Sequence, residues 1–206
     1  MQIGVPKETA LYENRIAITP DTIKKFIKLG HSIVVERDAG KGSFITNDAL
    51  EQAGAQIVED AISTSDVVLT VNSLPIEQIN QLKQEAIVIG MMNPYRNANL
   101  QDYANRNAKV YAMELLPRTL SRAQNMDVLS SQANLAGYKS VLLAAAEYQR
   151  MFPMLMTAAG TVKPARVVIM GVGVAGLQAI ATAKRLGAVV EATDLRPTAK
   201  DQVESL

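Results

Sequence analysis

The residue types best suited to chemistry lie together near the end of the chain. Gly171-Val172-Gly173-Val174-Ala175-Gly176 follows directly on an apolar run, Arg166–Met170 (RVVIM), and leads into a helical pattern from Ala175 to Leu186. Gly187 closes that pattern, and a second apolar run, Ala188–Thr193, ends in Asp194. A strand, a glycine turn, a helix and a second strand ending in an acid form the arrangement that cradles a dinucleotide. In it Gly171 permits the tight turn, Gly173 has no Cβ and lets the backbone meet a pyrophosphate, and Gly176 lets the helix pack on the strand. The helix start at Val174 and Ala175 offers unpaired N–H groups and a positive dipole end to the phosphates. A carboxylate at Asp194 accepts the ribose hydroxyls and repels a 2′-phosphate, which favours NAD(H) over NADP(H). Arg196 works against that preference, because an arginine near this position can hold a 2′-phosphate; with Asp194 present we read it as solvent-facing or phosphate-adjacent. The competing reading is a glycine turn kept for packing, with Asp194 a solvated loop acid.

Elsewhere the composition mostly excludes. With no cysteine there is no disulfide, thiolate metal site or cysteine nucleophile, and with His31 the only histidine there is no multi-histidine zinc centre. No metal is expected. A formal net charge of +1 gives no electrostatic case for a nucleic-acid partner. Hydrophobic residues at 48% and charged residues at 20% are those of a globular chain of 206 residues, with no apolar run near the ~20 that a membrane-spanning helix needs.

The elements that must position the turn are short Val- and Ile-rich runs alternating with amphipathic stretches, the pattern of a parallel sheet with crossover helices. Strands are predicted at Gln2–Val5, Ser32–Glu36, Asp66–Val71, Ala86–Met91 and Lys109–Met113. Helices are predicted after Thr19-Pro20, with Thr19 as N-cap and Pro20 at the first helical position, and at Thr46–Gly54, Ile76–Lys83 and Asn99–Asn107. From Pro117 to Asp127 the pattern lapses into a polar loop, and Val128–Met151 reads as one long alanine-rich helix. The expectation is an α/β chain of two Rossmann-like parallel-sheet domains joined by a long helix, the second incomplete. Residues 1–127 form the first domain, 128–157 the linking helix and connector, and 158–206 the first half of a nucleotide-binding domain.

Several segments together carry a family resemblance: GVPKE, ENRIAITP, PRTLSRAQNMDVLSSQANLAGY, MTAAGTVKPARV and GVGVAGLQAIATAKRLGAVVEATDLRP. The chain resembles the NAD(H)-binding domain found in the alpha subunit of proton-translocating nicotinamide nucleotide transhydrogenases, and more weakly alanine dehydrogenase. The resemblance implies that the loop before the long helix holds the nicotinamide through an arginine, a glutamine and an aspartate. Gln124 and Asp127 match, Ser130 lies just beyond, and either Arg118 or Arg122 fills the arginine position. Asp127 also stands where the long helix needs an N-cap, which competes with a ligand role. Alanine dehydrogenases use an arginine after the first strand, a lysine after a middle strand and a histidine after the following one; here those positions hold Arg15, Asn72 and Asn93. Asparagine cannot supply a proton near pH 7, whereas hydride transfer between two nicotinamides needs none.

The resemblance further implies NADP(H) on a partner domain, membrane-spanning partner subunits that translocate protons, a homodimer, and a cytoplasmic place at the inner face of the membrane. It also implies that the rest of the nucleotide-binding domain is missing after residue 206. The alternatives are a non-catalytic binding or assembly module and, less favoured by Asn72 and Asn93, an alanine dehydrogenase-like enzyme.

Overall fold

The computed structural model describes residues 1–205; Leu206, the last residue of the expected half-domain, lies outside them. The chain forms two compact units, Met1–Met126 and a second that begins at Asp127.

In the first unit, strands β1 (Gln2–Val5), β2 (Ser32–Glu36), β3 (Gln56–Val58), β4 (Val67–Asn72), β5 (Ile87–Met91) and β6 (Lys109–Ala112) alternate with helices α1 (Pro20–Lys28), α2 (Asn47–Gln52), α3 (Ile76–Gln81) and α4 (Leu100–Asn105). They build one six-stranded sheet in the order β3-β2-β1-β4-β5-β6. Every pairing in it is parallel. The order reverses between β1 and β4, which puts a crevice at their carboxyl ends. Successive strand residues serve opposite faces. Ile3, Val5 and Val67 join Ile23 of α1 and Leu50 of α2. Val68 and Val88 join Ile79 of α3 and Tyr103 of α4. The α1 start matches the expectation: the Thr19 side chain accepts from the Thr22 N–H and Pro20 opens the helix. Five of these strands are legible in the sequence; β3 is not, because three residues are too few to show a period.

The second unit contains α5 (Val128–Glu147), the hairpin β7 (Leu155–Thr157) and β8 (Gly160–Val162), then β9 (Arg166–Met170), α6 (Val174–Arg185), β10 (Val189–Thr193) and α7 (Ala199–Glu204). β9 and β10 pair in parallel from Arg166↔Val189 to Met170↔Thr193. One face of this pair is covered: Val167, Ile169 and Val190 pack with Val141 of α5 and Ala179 and Ala183 of α6. Val168 and Met170, which alternate with them, are exposed. Two departures from the expected pattern are local. The long helix ends at Glu147 rather than Met151, and the connector contains the antiparallel β7–β8 hairpin. The hairpin leaves no alternation in the sequence because all six of its residues are exposed.

Candidate functional site

The glycine turn sits at the carboxyl end of β9. Gly171 has φ +94°, a left-handed value that glycine adopts without strain, and its N–H donates to the Thr193 carbonyl at 2.8 Å, joining the turn to the end of β10. The next N–H, of Val172, donates to Asp194 Oδ2 at 2.7 Å. Gly173 then caps α6. The first helical bond runs from the Leu177 N–H to the Gly173 carbonyl at 2.9 Å, so the N–H groups of Val174, Ala175 and Gly176 precede the helical ladder and point out of its end.

The three glycines separate into two kinds. A Cβ on Gly176 would stand 1.9 Å from the Gly171 carbonyl oxygen, so this residue sets how closely helix and turn approach. A Cβ on Gly173 would meet nothing within 4 Å, and the same is true of Gly171. The space in front of Gly173 is therefore open and faces a helix N-terminus. An open, Cβ-free cradle over unclaimed backbone N–H groups fits the pyrophosphate of a dinucleotide.

Asp194 borders this cradle. Its side chain is only 11% exposed. Oδ1 accepts from the Arg196 N–H at 2.8 Å and from Arg196 Nε at 3.0 Å. Oδ2 accepts from the Val172 N–H at 2.7 Å and from Arg196 Nη2 at 3.1 Å. Arg196 Nη2 also donates to the Val172 carbonyl at 3.0 Å. The Arg196 guanidinium, with the backbone N–H groups of Arg196 and Val172, holds the Asp194 carboxyl far below the usual carboxylate range. Arg196 is thus a partner of Asp194 and of the turn itself, an engagement beyond the solvent-facing or phosphate-adjacent reading. Beside the pair lies a cavity of about 440 Å³, lined by Ala192, Pro197, Val203 and the ion pair of Lys200 with Glu204 at 3.7 Å.

A feature missed from sequence fixes α6 from behind. A Cβ on Gly137, in the middle of α5, would stand 2.1 Å from the Ala175 carbonyl oxygen. Asn134 Nδ2 donates to Gln178 Oε1 at 3.1 Å on the same seam. α5, expected as a link, packs on α6 within the second unit. A lone glycine inside an alanine-rich helix is the signal that marks such a close approach.

Of the residues expected to hold a nicotinamide, Asp127 and Ser130 meet each other. Asp127 Oδ1 accepts from the Ser130 N–H at 2.9 Å and Oδ2 from Ser130 Oγ at 2.5 Å, so Asp127 is the N-cap of α5. Arg118, Arg122 and Gln124 are exposed on the loop of the first unit, with Gln124 opening a short 3₁₀ turn.

In the first unit, the crevice between β1 and β4 holds a network of its own side chains beside a cavity of about 270 Å³ that Glu8, Thr70, Asn72, Gln78 and Asn97 help to line. Glu8 Oε1 accepts from the Val71 N–H at 2.5 Å and from Thr70 Oγ1 at 2.9 Å. Glu8 Oε2 accepts from the Asn72 N–H at 3.3 Å and from Asn72 Nδ2 at 3.2 Å. Asn72 Nδ2 also donates to Glu13 Oε2 at 2.8 Å. Arg15 donates to Glu13 through Nε at 2.8 Å and Nη2 at 2.6 Å. That guanidinium, together with Asn72, lowers the Glu13 pKa to about 2. Asn93 sits at φ +48° after β5, its N–H donating to Glu114 Oε1 at 2.5 Å. The described residues contain no cluster of three or more potential metal ligands and no helix long and apolar enough to cross a membrane.

Comparison with known proteins shows the family. Residues 4–136 match the family model described as alanine dehydrogenase/PNT, N-terminal domain, and residues 140–206 match its C-terminal domain. The chain is 50% identical over 216 residues to the first section of the NAD(P) transhydrogenase alpha subunit of Rhodospirillum rubrum, spanning 100% of this chain and 56% of the relative. The transhydrogenase of Sinorhizobium meliloti superposes with a TM-score of 0.96 at 50% identity, covering 100% of this chain and 62% of that one. An L-alanine dehydrogenase superposes with a TM-score of 0.88 at 25% identity, covering 100% and 58%. This chain therefore belongs to the alanine dehydrogenase/PNT family, and within it is more similar to the transhydrogenases than to the alanine dehydrogenases.

Proposed function

We propose that this chain is the NAD(H)-binding component of a transhydrogenase, passing hydride between NADH and NADP⁺ held on a separate domain. The observation that carries the reading is the open cradle over Gly173, with the N–H groups of α6 unclaimed behind it and Asp194 at its rim. Identity of 50% to a transhydrogenase alpha subunit over the whole chain supports it.

In this reading the backbone of Gly171, Gly173, Val174, Ala175 and Gly176 binds the pyrophosphate and Asp194 the adenosine ribose. Gln124, Asp127, Ser130 and one of Arg118 and Arg122 orient the nicotinamide. A glutamine amide suits that task because it both donates and accepts, as does a carboxamide. NADH supplies a hydride from its ring, and NADP⁺ accepts it with both electrons, so no proton has to be stored on a side chain. What the protein contributes is position, since the rings must approach to about 3–3.5 Å. The Glu8–Asn72–Glu13–Arg15 network supports this over amino-acid chemistry: Asn72 and Arg15 are committed to carboxylates of the same unit. Residues 128–157 then serve the nucleotide half as its supporting helix and connector, and residues 1–127 form the other domain.

The same reading places the chain in the cytoplasm, as a homodimer held at the inner face of the membrane by partner subunits that bind NADP(H) and translocate protons. The test mixes the chain with a separately prepared NADP(H)-binding transhydrogenase domain and follows reduction of an NAD⁺ analogue by NADPH. Transfer above the rate of either protein alone is expected. NADH binding without any transfer would leave a binding module, and no binding would remove the reading.

A further inference from the structure

A carboxylate offers about four lone-pair directions. At Asp194 all four are taken, two by the backbone N–H groups of Val172 and Arg196 and two by Nε and Nη2 of the Arg196 side chain. The backbone donors are fixed by the turn. The guanidinium donors are not, since its side chain is 60% exposed over a carboxylate that is 11% exposed. Lifting the side chain frees one acceptor position on Oδ1 and one on Oδ2, which is what the two neighbouring hydroxyls of a ribose require.

Resting on the dinucleotide reading above, we propose that Arg196 is a latch on Asp194 that the adenosine ribose must displace, and that its charge sets how sharply the site separates NAD(H) from NADP(H). Displaced, the guanidinium stays tethered two residues from Asp194, beside the cavity that the paired Lys200 and Glu204 also line. The latch acts in opposite senses on the two nucleotides. For NAD(H) it is a competitor, because ribose hydroxyls and guanidinium want the same lone pairs. For NADP(H) it is a counter-charge, because the 2′-phosphate meets a cation beside the repelling carboxylate. A bare aspartate would discriminate more strongly than this pair does.

The test measures NADH and NADPH affinity by nucleotide fluorescence for the unaltered chain, Arg196→Ala and Arg196→Lys. Arg196→Ala should tighten NADH about threefold, the scale of a partly exposed ion pair. It should weaken NADPH about tenfold through the lost charge-assisted contact. Arg196→Lys should fall between. A second measurement needs no variant: the Arg196 Nε–H resonance of the unaltered chain, followed during an NADH titration, should lose its carboxylate-bonded position as the site fills. Equal or weaker NADH binding by Arg196→Ala, or an Nε–H signal unmoved at saturation, overturns the latch while leaving the nucleotide site standing. Failure of the unaltered chain to bind either nucleotide overturns both.

Discussion

The carboxyl ends of the strands in the two units pose the same problem, backbone N–H groups facing a crevice, and solve it differently. In the first unit the chain supplies its own anion: the Glu8 carboxylate accepts from the N–H groups of Val71 and Asn72 at the end of β4. In the second unit Asp194 accepts from the Val172 N–H in a similar way, but the N–H groups at the start of α6 are left without such a carboxylate and Gly173 keeps the approach to them open. The difference starts in the connection. β1 leads through residues 6–19 before α1 begins, long enough for Glu8 to fold back, whereas β9 reaches α6 through Gly171, Val172 and Gly173 alone. One crevice therefore has its strand-end N–H groups already met by a carboxylate, with a cavity of about 270 Å³ beside it, and the other leaves helix N–H groups for a ligand. Fold alone does not decide which.

The sharpest way to break this comparison lies within the turn. Gly176→Ala forces a Cβ to 1.9 Å from a backbone oxygen that cannot move without opening the turn. It should destabilise the second unit by about 3 kcal/mol and abolish NADH binding. Gly173→Ala puts its methyl into open space, so thermal unfolding should shift by less than about 0.5 kcal/mol while NADH affinity falls at least tenfold. Equal stability losses in the two variants would show that the turn serves packing only.

The next effect belongs to the crevice of the first unit. Glu8→Ala leaves the N–H groups of Val71 and Asn72 without their acceptor, while the Thr70 hydroxyl keeps the Asn72 carbonyl at 2.6 Å. A cost of about 1–3 kcal/mol is expected, read as faster hydrogen exchange over β1 and β4. NADH affinity should stay within twofold. A variant that loses nucleotide binding but not stability would reverse the roles given to the two units.

How far the chain is readable follows the range of the interactions. Thr19-Pro20, the Val–Ile strands and the glycine turn are local signals, and the structure keeps them. Asp194 can be placed because the strand–turn–helix–strand spacing carries it to the turn. Glu8 cannot be, since its partners Thr70 to Asn72 lie more than 60 residues away and nothing in GVPKE points to them. Arg196 is only two residues from Asp194, yet its pairing depends on the turn's shape, which brings the Val172 carbonyl within reach of the same guanidinium. Gly137 is visible as a glycine in a helix, but the residue it approaches, Ala175, is not.

The smallest effect tests the charge at the crevice of the first unit. Arg15 and Asn72 hold the Glu13 pKa at about 2, below its ordinary 4.5. The folded form therefore binds this proton less readily than the unfolded chain. The stabilisation is complete above about pH 4.5 and is lost as the pH falls toward 2. Because Arg15 is 41% exposed, solvent screening reduces the contribution to the order of 1 kcal/mol. Glu13→Gln should lower stability at pH 7 by that amount and flatten the acid-unfolding curve between pH 4.5 and 2, with NADH affinity at pH 7 unchanged. A variant whose acid limb superimposes on that of the unaltered chain would mean that the Glu13–Arg15 pair contributes nothing to the stability of this crevice, and that Glu8 alone anchors it.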